Sequence, residues 1–382
     1  MNVRELLDQL VAFPTVSRDS NLPLIYFVQD YLTEHGIAST LVPNDEGTKS
    51  NLYATIGPHV PGGVVLSGHT DVVPVDGQAW HSDPFTVTEK DGRLYGRGTC
   101  DMKAFIATAL ALVPQMQTLQ KPIHLALCYD EEVGCAEAPR MIERLKTHIA
   151  TPSAVIVGEP TEMKVVSAHK GIVANRTTIT GHEAHSSLTQ AGVSAVMTAA
   201  RLVTYLDDMA QTLQAKTPSD NGFDPAWTTV HVGTIEGGTA INIISRHCEF
   251  VWDLRNIPQD DPQELLDRFE HYCNEEMLPR MRQIAPETRI ETVQFARAPA
   301  FRHEQDSAAV KLVQALTHDA TFAMVPFAAE AGQFQEAGFS TVMCGPGSID
   351  QAHKSNEFIS LEQLDKGEAF MRQLICHLST GA

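Results

Sequence analysis

The sequence predicts an α/β protein with a mostly parallel sheet, interrupted by a smaller inserted α+β domain. Three observations lead there. Short apolar runs alternate with helical patterns through residues 1–157, a β-α-β-β-α-β order occupies 173–295, and the α/β alternation then resumes. At 382 residues the chain is too long for one ordinary domain, and its 43% hydrophobic content supplies two cores.

Helical spacing covers 3–13 and 24–35, with Gly36 as the stop of the second. Strand-like runs follow at 39–42, 52–56 and 63–66. A turn-rich stretch, 75–98, then delivers Asp101 to the start of a helix over 102–117. Strand 123–129, helix 137–148 and strand 154–157 come next. Strands separated by helices need crossover connections, so they pair in parallel with both faces covered. The insert reads as strand 173–180, helix 193–208, a Pro/Gly/Asp-rich loop 217–225, strands 228–235 and 248–255, helix 262–281 and strand 289–295. Helix 307–317, strand 341–344 and helix 361–378 close the chain. The expected organisation is one discontinuous domain, 1–174 plus 295–382, around an inserted one, 175–294.

A net charge of −19 and a pI near 5.2 argue against nucleic acid and anionic membrane surfaces as partners. No apolar run reaches the length of a membrane span. The opening MNVRELLDQLVAF reads as an amphipathic helix rather than a signal peptide, because Glu5 and Asp8 interrupt it. Seven scattered cysteines without a C-x-x-C pair fit reduced thiols in a cytoplasmic protein.

The chemistry-bearing residues fall at or just after the ends of the predicted strands, where open α/β sheets place their sites. His69 and Asp71 stand in SGHTDVVP, after the run at 63–66. Their one-residue spacing lets the histidine bind a metal while the aspartate orients its ring. Asp101 stands in GRGTCDMK, Glu131 and Glu132 in DEEVG, Glu159 in GEPT, and His353 in GPGSIDQAH. Each acid alone reads as a solvated loop charge or a helix cap. Their recurrence after successive strands makes a shared site the better reading. GRGTCDMK lacks the spacing and the final Ser/Thr of a phosphate loop, and Cys100 has no nucleophile's companions in view.

In these motifs, over essentially its whole length, the chain resembles the zinc-dependent aminoacylase/carboxypeptidase family and, within it, the acetylornithine deacetylase branch. The resemblance implies a metallopeptidase-like (phosphorylase/hydrolase-like) catalytic domain and a ferredoxin-like lid through which two chains dimerise. It implies two divalent ions per subunit, Zn²⁺ first and Co²⁺ as an alternative. One ion would take His69, Asp101 and Glu159, and the other Asp101, Glu132 and His353, with Asp101 bridging, Glu131 as general base and Asp71 buttressing His69. Charge counting agrees: three carboxylates and one hydroxide neutralise two divalent ions, and buried uncompensated charge is costly. Nitrogen and oxygen donors without thiolate suit Zn²⁺ or Co²⁺, and Mn²⁺ is also compatible.

In the insert, GHEAHSS offers His185 for the family's oxyanion-stabilising histidine, which reaches across the dimer, with His182 as the fallback. Ala184 stands where the family carries a second glycine. For the substrate carboxylate the family uses a glycine-rich loop, its Asn and a following Arg; here these are GGTAIN with Asn242, and Arg255. Arg255 also fits a plain surface salt bridge. Lys170 is a further anion contact, and Glu330 either pairs with a substrate ammonium or simply starts a helix. The implied reaction is removal of the acetyl group from N2-acetyl-L-ornithine, giving L-ornithine and acetate for arginine biosynthesis. The alternatives are acetylcitrulline, succinyl-diaminopimelate, a dipeptide, or a non-catalytic binding module on the same fold.

Overall fold

The computed structural model describes residues 1–380 and divides into two compact units. The first is Met1–Ala168 with Phe301–Met324 and Ala329–Ala382; the second is His169–Ala300 with Val325–Ala328. The insert therefore begins at His169 and runs on to Ala300, wider than 175–294 at both ends, and it includes one short segment from further along the chain.

The first unit is built on an eight-stranded mixed sheet. Its centre is parallel, in the order Ile123–Cys128, Val64–His69, Ala154–Val157 and Thr341–Met343. Every residue of these four strands is buried, the signature of parallel strands covered on both faces. Antiparallel strands flank them: Ser50–Ile56 and Ser39–Pro43 on one side, Val166–His169 on the other. Because the four central strands run the same way, their C-terminal ends lie along one edge. The site residues follow that edge.

Helix Lys103–Ala111 is apolar nearly all round, and its residues from Lys103 to Leu110 are buried. It packs against Val3–Val11 and Leu361–Thr380 as an internal layer of the core. The expected helix 102–117 stops at Ala111 and continues as a 3₁₀ turn, Val113–Thr118, because Pro114 cannot donate to the preceding turn.

The second unit is a four-stranded antiparallel sheet in the order Thr229–Gly237, His247–Arg255, Ile172–Thr180, Arg289–Ala298. Strand His247–Arg255 alternates buried and half-exposed residues, as a one-sided sheet requires. Phe250, Trp252 and Leu254 meet Leu202, Leu206 and Phe269 from the covering helices. The expected helix 262–281 is three pieces: Pro262–His271, a π-turn Tyr272–Met277, and Leu278–Arg282. Pro279 lacks the N–H that would continue the α ladder, and the widened turn absorbs the loss. No helix among the described residues is long and apolar enough to cross a membrane.

One core residue makes the fold acid-sensitive. His124, on a central parallel strand, is fully buried, with Nδ1 2.9 Å from Thr55 Oγ1 and, among the described residues, no partner for Nε2. Burial, helped by His59, lowers it from 6.5 to about 4. A depressed value favours the neutral ring, so this stability is present above pH 6.5 and lost as the pH falls toward 4. The loss is about 3 kcal/mol between pH 7 and pH 4. Urea unfolding at those two pH values should show a smaller drop for His124→Gln than for wild type. Equal drops would contradict it.

Candidate active site

Four parallel strand ends deliver the cluster. His69 is the last residue of Val64–His69; Glu131 and Glu132 follow Ile123–Cys128; Glu159 follows Ala154–Val157; His353 lies in the segment after Thr341–Met343. Asp101 comes from the turn before helix Lys103–Ala111, where Gly98 has φ +81°, a conformation that favours glycine. Two of the loops approach backbone to backbone. A Cβ on Gly345 would lie 2.1 Å from the Gly158 carbonyl oxygen, so glycine is needed beside Glu159.

Donor atoms of His69, Asp101 and Glu132 all lie within 4.8 Å of one another. His69 Nε2 is 3.0 Å from Asp101 Oδ1, and His353 Nε2 is 2.9 Å from Glu132 Oε2 and 3.5 Å from Asp101 Oδ2. Asp101 thus stands between the two imidazoles, one carboxylate oxygen toward each. Glu159 is buried nearby, and among the described residues its Oε1 has no hydrogen-bond partner.

The electrostatics are those of crowded buried carboxylates. Burial pushes Glu131 up to about 8, reinforced by Glu132 and Asp101 against the pull of His69. Glu132 rises to about 7 from burial and the charge of Asp101. Glu159 goes well above its ordinary range, from burial and then Glu131 and Asp101. Burial also opposes ionisation of Asp101, yet its contacts with His353 and His69 hold it below the usual carboxylate range. Hydrogen bonds to Asp101 and Glu132 raise His353 to about 10. An unpaired buried oxygen among mutually repelling carboxylates fits divalent cations, which would satisfy the oxygen and offset the charge.

Asp71 does not do what its spacing implied. His69 Nδ1 lies 2.9 Å from the backbone carbonyl of Asp71, while the carboxylate is 3.6 Å away, beyond hydrogen-bond range. A ring held on its Nδ1–H by a carbonyl keeps the Nε2 lone pair for a metal. The Asp71 carboxylate instead accepts Ser17 Oγ at 2.7 Å and the backbone N–H groups of Glu131 at 3.3 Å and Glu132 at 3.4 Å. It fixes the strand end that carries both glutamates.

Two further expected substrate contacts, Lys170 and Glu330, are buried. Lys170 is 1% exposed, with its ammonium donating to the Trp227 carbonyl at 2.6 Å. Glu330 is also 1% exposed, its carboxylate accepting Ser67 Oγ at 2.9 Å and the Cys128 thiol. Both groups have partners within the chain. The remaining candidates lie in the second unit. His185 is exposed with Nδ1 2.8 Å from Ser187 Oγ, while His182 pairs with Glu287 at 2.6 Å. Asn242 lies in the exposed loop after Gly237, and its carbonyl accepts from Ser186. Arg255 makes a salt bridge through Nε to Asp253 at 3.1 Å.

Sequence reasoning did not single out Ser17, which holds Asp71, or Lys49, which pairs with Asp130 at 2.7 Å just before the two glutamates. It also passed over Glu357, which accepts the backbone N–H groups of Cys100 and Asp101.

Carboxylates and imidazoles gathered at the C-terminal edge of a parallel sheet, with half-buried Glu131 beside them, define a metallohydrolase-type site. The pattern of Peptidase family M20/M25/M40 matches residues 65–377. The chain is 35% identical to an acetylornithine deacetylase of Myxococcus xanthus, covering 99% of this chain and 98% of that one. It is 33% identical to the acetylornithine deacetylase of Pasteurella multocida (strain Pm70), covering 99% and 98%. Among solved structures, an M20 family metallo-carboxypeptidase from Sulfolobus solfataricus has the same fold, with a TM-score of 0.77 at 17% identity and full coverage of both chains. The chain belongs to the M20/M25/M40 peptidase family and is a hydrolase.

Proposed function

We propose that the chain hydrolyses N2-acetyl-L-ornithine to L-ornithine and acetate, in the cytoplasm and in the service of arginine biosynthesis, as a homodimer with two divalent ions per subunit. Zn²⁺ suits the nitrogen and oxygen donors best, and Co²⁺ can substitute. One observation carries the reading: His69, Asp101 and Glu132 converge within 4.8 Å, beside the unpaired Oε1 of buried Glu159, in a chain with full-length deacetylase relatives.

His69, Asp101 and Glu159 would hold one ion, and Asp101, Glu132 and His353 the other. When bound, the ions polarise the acyl carbonyl and acidify water. Glu131, next to Glu132 at the same strand end, takes the proton of the attacking water and delivers it to the leaving amine nitrogen. Asp71 holds the backbone of both glutamates in place. His185, exposed and fixed at Nδ1, would donate from Nε2 to the oxyanion of a partner subunit. Asn242 and Arg255 would receive the substrate carboxylate.

Exposed apolar residues on the second unit, Ile235, Ile243, Val293 and Phe295, support self-association there. Seven free cysteines, six of them buried, support a reducing compartment. In heterodimers that pair a His185→Ala subunit with a Glu131→Gln subunit, action in trans restores part of the activity. No restoration would confine His185 to its own chain.

The substrate is tested with a panel of N2-acetyl-L-ornithine, N2-acetyl-L-citrulline, N-succinyl-diaminopimelate and a dipeptide, assayed with Zn²⁺ and Co²⁺ and after chelation. Acetate release should be fastest from acetylornithine and stop on chelation. Faster cleavage of the dipeptide, or no acetate release, would overturn the reading.

A further inference from the structure

Behind the cluster lies a second set of polar groups that none of the roles above uses. Glu357 is 1% exposed, yet its carboxylate receives four donors. Oε1 accepts the backbone N–H groups of Cys100 at 2.8 Å and Asp101 at 3.1 Å. Oε2 accepts the backbone N–H of Gly98 at 3.0 Å and Arg97 Nη1 at 2.7 Å. The turn carrying Asp101 is therefore wrapped around one buried carboxylate.

Arg97, also 1% exposed, extends the set toward the other imidazole. Its Nη1 reaches the Lys354 carbonyl at 3.3 Å, its Nη2 donates to Gln78 Oε1 at 2.7 Å, and its guanidinium lies over the Trp80 ring at 5.2 Å. Gln78 completes the path by donating Nε2 to the His353 carbonyl at 2.9 Å. His353 has φ +62°, an uncommon conformation for a residue other than glycine, so its place depends on such external contacts. The chain of contacts runs from the Asp101 backbone through Glu357, Arg97 and Gln78 to the His353 backbone.

We propose that Glu357, Arg97 and Gln78 form a positioning clamp that sets the separation of Asp101 from His353 and thereby the affinity of the ion held by Asp101, Glu132 and His353. The clamp rests on the metal-centre reading above. The contacts divide its labour. Glu357 grips the turn of Asp101, which belongs to both ligand sets, so its loss weakens both ions. Gln78 holds the His353 carbonyl directly and meets the turn of Asp101 only through Arg97, with Trp80 Nε1 also donating to its Oε1 at 3.2 Å, so its loss falls on the one ion. Partners behind a ligand of this kind are worth about 10- to 100-fold in metal affinity.

The test is calorimetric titration of ZnCl₂ into the metal-stripped full-length chain, comparing wild type with His353→Ala, Gln78→Ala and Glu357→Gln. His353→Ala identifies which binding step belongs to its ion. The clamp predicts that Gln78→Ala weakens that same step by about 10- to 100-fold and leaves the other unchanged, and that Glu357→Gln weakens both. Gln78 is half-exposed, so its variant carries the test even if Glu357→Gln fails to fold. A Gln78→Ala chain that titrates like wild type, or loses both ions equally, overturns the clamp while the metal centre stands. A wild-type chain that takes up fewer than two ions overturns the metal-centre reading, and the clamp with it.

Discussion

Glu131→Gln should bind its metal ions as wild type does and lose activity by about 10²- to 10⁴-fold in kcat. The amide preserves shape, and Glu131 is not one of the five residues proposed to hold the two ions. Its backbone stays pinned by Asp71, and the Cys135 thiol, 3.2 Å from Oε1, still has an oxygen to approach. What disappears is the basic oxygen. Without it no carboxylate remains at this position to take a proton from water and return it to the leaving amine. Metal content and turnover measured on the same preparation separate the two effects. Near-normal turnover with full metal content would remove Glu131 from its role.

Asp101→Asn should be more severe, because it acts on both ions at once. Asp101 touches both imidazoles, His69 through Oδ1 and His353 through Oδ2. Its contacts with them keep it ionised despite burial. Asparagine keeps the volume but removes the negative charge, and one of its two positions becomes a donor facing a histidine. Metal content should fall from two ions toward none. With the electrostatic contribution of the ions gone, activity should drop by about 10³-fold or more, several kcal/mol of barrier. Circular dichroism should show a folded chain. Retention of two ions would mean that Asp101 does not bridge.

Much of this was legible in the chain, for a physical reason. Fully buried parallel strands must be apolar, so a His or a Glu pair directly after such a run stands out, as His69, Glu131 and Glu132 do. The alternation in His247–Arg255 likewise reveals a sheet with one wet face. Other features leave no such trace. Thr88–Lys90, Arg93–Tyr95 and Phe358–Ser360 pair into a small sheet, but three residues are too few to show a period.

The side-chain roles that escaped depend on contacts between distant positions. Glu357 is one of 47 acidic residues, and its importance comes from backbone groups more than 250 positions away. Asp71 has the spacing to orient His69, yet the turn puts its carbonyl there and leaves its carboxylate for Glu131 and Glu132. Lys170 and Glu330, expected as ligand contacts from their places in HKG and AAEA, have partners that the sequence does not reveal. The Trp227 carbonyl, Ser67 and Cys128 allow both to be buried.

The central claim is a pair of metal ions that share Asp101. Anomalous diffraction at the zinc edge from crystals of the full-length chain grown with Zn²⁺ tests it most directly. The account predicts two peaks per chain, one among His69, Asp101 and Glu159 and one among Asp101, Glu132 and His353. A single peak, or two peaks without Asp101 between them, would contradict it.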